Sequence, residues 1–152
     1  MKLRRLVEIS PRRWLRMLSI AVSAVHVEWL LRRREPLPAV ADRMGVCLAA
    51  DGSPTDPESL RLTDEEWRRI QDVRRVISRP PFDGSCLRQA LIVGQQLRNR
   101  KPRLQVGVLK DSDGVRAHAW LLVDGVVFDD YHVRKNAADG FAVMPLDFHQ
   151  RW

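Results

Sequence analysis

The residues of this chain best suited to covalent catalysis are one thiol, one imidazole and a pair of adjacent carboxylates: Cys86, His118 and Asp129-Asp130. Cys86 follows the turn-forming run "FDGS" and opens "CLRQALIVGQQLRNR", in which Leu87, Ala90, Leu91, Gly94 and Leu97 recur on one helical face. With Ser85 as N-cap, Cys86 takes the first helical position. Backbone N–H groups without helical partners and the positive end of the helix dipole favour a thiolate there, and the same groups suit a developing oxyanion. Taken alone, Cys86 is more simply a small residue tolerated at a helix start. A general base in "RAHAWLLVDG" changes that balance, because a helix-start Cys, a strand His and a third polar group form the constellation of cysteine nucleophilic catalysis.

The third group follows from the hairpin expected at Asp124-Gly125. A two-residue loop pairs Val123 with Val126 and puts Asp129 on the His118 face. A three-residue loop with Gly125 as a G1 bulge pairs Leu122 with Val126 and sets Asp130 directly opposite His118. Opposed residues have Cβ atoms about 4.5 to 5.5 Å apart, close enough for a carboxylate to fix the imidazole tautomer. Pattern leaves the two aspartates open. A zinc site of Cys86, His118 and Asp130 lacks a fourth ligand and close ligand spacing, so no metal or other cofactor is expected.

The elements that must position these residues fall into two halves. The run from Trp14 to about Arg34 reads as a helix, with Pro11 in its first turn and Pro36 and Pro38 beyond its end. A second helix is expected over Ala39 to Ala49, then a polar loop, "DGSPTDPES". In "TDEEWRRIQDVRRVISR", Thr63 and Glu66 have capping-box spacing and Trp67, Ile70, Val73 and Ile77 share a face, until Pro80-Pro81 ends the helix. After residue 100 the period becomes two: strands over 104–110, 117–123 and 126–133, and a weaker one in "FAVMPL". Helices followed by strands make an α+β fold, with a helical part over 1–80 and the Cys86 helix plus an antiparallel sheet over 81–152.

At 152 residues, 45% hydrophobic and 30% charged, the chain fits one folded domain and not a disordered one. A net charge of +7 favours acidic partners such as nucleic acid, anionic lipid or acidic peptide. The arginine clusters are spread along the helical half without a nucleic-acid-binding motif, so they read as a solvated basic face and no nucleic acid is expected. Two cysteines without a CxxC fit a reduced, cytoplasmic compartment. Cys47, in "GVCLAA", reads as a small buried thiol and Trp120 as a core side chain. His26 reads as a core histidine, and His132 and His149 as surface residues. "WLRMLSIAVSAVHVEWLL" is interrupted by Arg16, His26 and Glu28, so it reads as a buried or amphipathic helix, with peripheral membrane contact left open.

The blocks "SCLRQALIVGQQLRNR", "LQVGVLK" and "AHAWLLVDGVVFDD" resemble the cysteine, histidine and aspartate blocks of the lasso-peptide biosynthesis B protein, in its leader-peptidase part. That part belongs to the transglutaminase-like, papain-like cysteine protease superfamily. The resemblance covers roughly residues 80 to 131. It implies a triad of Cys86, His118 and Asp130, and with it the bulged register. It also implies removal of the leader from a ribosomally made precursor peptide before a macrolactam-forming cyclase acts. Residues 1 to 80 read as helices, without the strand pattern of the leader-recognition module found in some members, so a separate leader-recognition protein is expected. Two other readings stand beside this one: another amide hydrolase or acyl transferase of the same superfamily, and a non-catalytic basic adaptor.

Overall fold

The computed structural model describes residues 10–49, 60–82, 84–111, 114–128 and 141–144. Helix α1 spans Pro11–Arg32. Proline suits a first turn because its missing N–H would have no helical partner there. Ile20, Val27 and Leu30 on its inner face are fully buried. Arg13 and Arg16 reach from α1 to Asp72, donating to its carboxylate at 2.8 and 3.0 Å, and Asp72 is only 1% exposed. Asp72 lies on α3, Asp64–Ile77, so a buried carboxylate clamps the two helices together.

The capping box of α3 forms as its sequence predicts. Thr63 Oγ1 accepts from the Glu66 backbone N–H at 3.2 Å, and Glu66 Oε2 accepts from the Thr63 N–H at 2.8 Å. Ile70, Val73 and Ile77 are buried, whereas Trp67 stays 39% exposed at the rim.

Between these helices the structure departs from expectation. Helix α2 covers only Leu37–Arg43, because Gly45 adopts φ +68, the left-handed conformation that terminates helices. The chain then enters a short strand, β1, Cys47–Leu48, inside the half read as helical. Cys47 is exposed rather than buried, and its neighbours Val46 and Ala49 supply the core contacts.

Helix α4, Cys86–Gln96, precedes strands β2, Arg103–Asp111; β3, Gly114–Val123; β4, Val126–Phe128; and β5, Ala142–Val143. The order is β1-β2-β3-β4, and β5 shares with β1 the edge of β2 that faces away from β3. Since β1 runs parallel to β2, the sheet is mixed rather than wholly antiparallel. One face, carrying Leu104, Ala119, Leu121 and Val123, joins α1, α3 and α4 in the main core. The other carries Gln105, Gly107, His118 and Trp120.

The β3–β4 hairpin settles the register. Asp124 at φ 53 and Gly125 at φ 80 form a two-residue loop of the type I′ kind, and Val123 pairs with Val126. The bulged register implied by the resemblance is therefore corrected over the described ladder, which runs to Leu121 opposite Phe128. A left-handed Asp124 beside a left-handed Gly125 matches the strand twist without an extra residue.

Candidate active site

Cys86 stands at the first residue of α4, as predicted, but Ser85 does not cap the helix with its side chain. Its hydroxyl instead accepts from Arg88 Nη1 at 2.9 Å, and Arg88 Nε donates to Glu28 of α1 at 2.8 Å. Hydrogen bonds from Arg32 and then Arg88 hold the Glu28 carboxyl below its ordinary range. The relay Glu28–Arg88–Ser85 ties the start of α4 to α1 and leaves the first-turn N–H groups without the serine cap that would compete for them. Cys86 itself is half-buried and packs against the helix-side core.

Close approach of α4 to the sheet depends on Gly94. A Cβ there would lie 2.6 Å from Val46 Cγ2 and 3.4 Å from Leu121 Cδ2. α4 thus packs directly on β3, the strand that carries His118. Leu121 points toward α4, and since residues an odd number apart in a strand point to opposite faces, His118 points to the other side of β3. The structure brings together the helix of Cys86 and the strand of His118, while strand alternation turns the imidazole toward the Trp120 face. Asp130 and Asp129 lie outside the described residues, as do His132 and His149.

His118 is 5% exposed. Its ring stacks on Trp120 with centroids 5.8 Å apart and tilts against Phe141 at 5.5 Å. Trp120 Nε1 donates to Gln105 Oε1 at 2.8 Å, satisfying a fully buried indole. Gly107 pairs with His118 across the ladder, and a Cβ on it would come within 2.6 Å of the Trp120 ring. Residue 107 lacks a side chain because the tryptophan occupies that space.

Gln105, Gly107 and Phe141 were not singled out from the sequence. A glycine inside the apolar strand "LQVGVLK" was the available signal, since such a glycine marks a close approach. His26, expected in the core, is exposed, with its ring edge-on to Trp29 at 6.2 Å.

Helices on one face of a small mixed sheet, with a cysteine opening the sheet-packed helix and a histidine on the strand beneath it, make an α+β fold, and its class, the cysteine protease and amide-hydrolase type, follows from the family it matches. The Transglutaminase-like superfamily model matches residues 6–145, and the chain belongs to that superfamily. Neither a curated protein nor a solved structure matches it significantly.

Proposed function

We propose that this chain is a cysteine peptidase that removes the leader from a ribosomally made precursor peptide of the lasso type. The observation that carries the reading is that one family match spans both the helix opened by Cys86 and the strand of His118, two elements that pack against each other. The three sequence blocks resembling the lasso B protein narrow the superfamily to this substrate.

The proposed reaction requires the Cys86 thiol, at the start of α4, to meet the imidazole on the Trp120 face of β3; His118 then takes its proton, and Sγ attacks the carbonyl carbon at the leader–core junction. The Cys86 backbone N–H donates to the oxyanion. Collapse breaks the C–N bond as His118 returns the proton to the departing core amine, leaving the leader as a thioester on Sγ. Water, deprotonated by His118, then attacks the thioester, releasing the leader as a carboxylic acid and restoring the thiol. Asp130 orients the imidazole, with Asp129 the alternative that the two-residue hairpin favours. No metal or cofactor enters this chemistry.

A separate leader-recognition protein would present the substrate and a macrolactam-forming cyclase would take the freed core, all in the cytoplasm, where thiols stay reduced. Mass spectrometry of a precursor peptide incubated with the chain, with and without the recognition protein, tests the reading. Cleavage at the leader–core junction that needs Cys86 supports it, and equal cleavage in both mixtures removes the recognition protein from it. An amide to an added amine in place of the acid would assign the chain to acyl transfer. An intact peptide that is nevertheless bound, unaffected by Cys86→Ala, would leave the adaptor.

A further inference from the structure

Helix α1 has two apolar faces, and the core uses only one. On the outer side Trp14, Leu15, Leu18, Val22, Val25 and Trp29 are 45% to 68% exposed. At about 100° per residue these six positions fall within an arc of roughly 100° and extend along about 22 Å of helix. Scattered exposed apolar residues are ordinary, but a continuous stripe of them marks a surface that meets something else.

The ends of the stripe indicate what that is. A tryptophan stands at each end, and arginines lie beyond both: Arg12 at one, Arg32, Arg33 and Arg34 at the other. The Arg33 guanidinium sits 3.9 Å from the centroid of the Trp29 ring, which places a cation at the edge of the apolar strip. Apolar side chains between interfacial tryptophans, bordered by arginines, match the boundary between acyl chains and anionic headgroups.

We propose that the outer face of α1 docks this protein, helix axis parallel to the surface, on a membrane that contains anionic lipid. Although α1 is long and apolar enough to cross a bilayer, its inner face is part of the core and its Arg13 and Arg16 hold the buried Asp72. Spanning would strip out those contacts; lying on the surface keeps them all. A second copy of this chain fits less well. Whether two such stripes met in parallel or antiparallel, arginines would oppose arginines at both ends.

Flotation of the full chain with vesicles tests this, comparing phosphatidylcholine alone with phosphatidylcholine containing phosphatidylglycerol. The chain is expected to float with the anionic vesicles, with its tryptophan emission shifted to the blue, and to detach as salt screens the arginines. Leu18→Glu with Val22→Glu is expected to lower the bound fraction at least about tenfold. Both side chains are more than 60% exposed, so the circular dichroism spectrum should not change. Equal flotation of variant and parent overturns the proposal, as does equal binding to neutral vesicles. So does a chain that stays off every vesicle, whether or not it forms a dimer or captures a protein through the stripe.

Discussion

Gly107 stands across the β2–β3 ladder from His118, and the space its missing side chain leaves is filled by the Trp120 ring that stacks on that histidine. The position of the imidazole therefore depends on a residue with no functional group.

Gly107→Ala would set a methyl 2.6 Å from the Trp120 ring and 2.9 Å from Phe141 Cβ. The ring must shift, and His118 with it. Overpacking of this kind costs about 1–3 kcal/mol. Precursor cleavage is expected to fall about tenfold or more while the variant still folds. Rates and melting temperature measured together check this, and an unchanged rate would separate His118 from the Trp120 layer.

Cys86→Ala and His118→Ala are each expected to lower the cleavage rate by about 1,000-fold or more, with the double variant little worse than either, because the two act as a unit. The adaptor reading expects no change from Cys86→Ala.

Asp130→Asn and Asp129→Asn divide the two hairpin registers. Loss confined to Asp130→Asn requires the strand to depart from the observed pairing beyond Phe128, whereas loss confined to Asp129→Asn extends that pairing. The pH profile of each variant shows which carboxylate serves the imidazole, since its loss alters the titration that governs the rate.

Arg100 joins three segments. It donates to Glu66 at 2.7 and 2.8 Å, to Asp124 at 2.7 Å and to the Arg61 carbonyl at 3.2 Å. The Arg100 hydrogen bonds, with the Thr63 cap helping and burial opposing, lower the Glu66 carboxyl from 4.5 to about 2. A lowered folded-state value stabilises the fold fully above the unfolded value, and the contribution is lost as pH falls from 4.5 toward 2. Acid unfolding of the parent is expected to steepen across that window and to flatten there in Arg100→Met, which should also lose about 1–3 kcal/mol at neutral pH. Urea titrations at several pH values check both.

Gly94→Ala gains helix propensity but meets Val46 at 2.6 Å, so it is expected to destabilise by about 1–3 kcal/mol rather than stabilise. A lower melting temperature would show that the α4–sheet distance is set at Gly94.

Much of this organisation was legible in the sequence, because local rules dictate it. The Thr63–Glu66 box, Pro11 and the prolines after Arg34 and Ser78 mark helix ends whatever lies around them. The β2 and β3 strands follow from alternation, and Asp124-Gly125 marks the hairpin. These fixed an α+β chain, with Cys86 at a helix start and His118 on a strand.

Tertiary structure decided what depends on partners distant in the chain. β1 exists because Cys47 and Leu48 pair in parallel with Arg103 and Leu104, which no local pattern announces. The Ser85 hydroxyl was drawn from capping to Arg88 because Glu28, on a different helix, holds that guanidinium in place. Which apolar face of α1 is core and which faces outward depends on α3 and α4. Sequence periodicity records that a residue is apolar, but only packing decides whether another surface covers it.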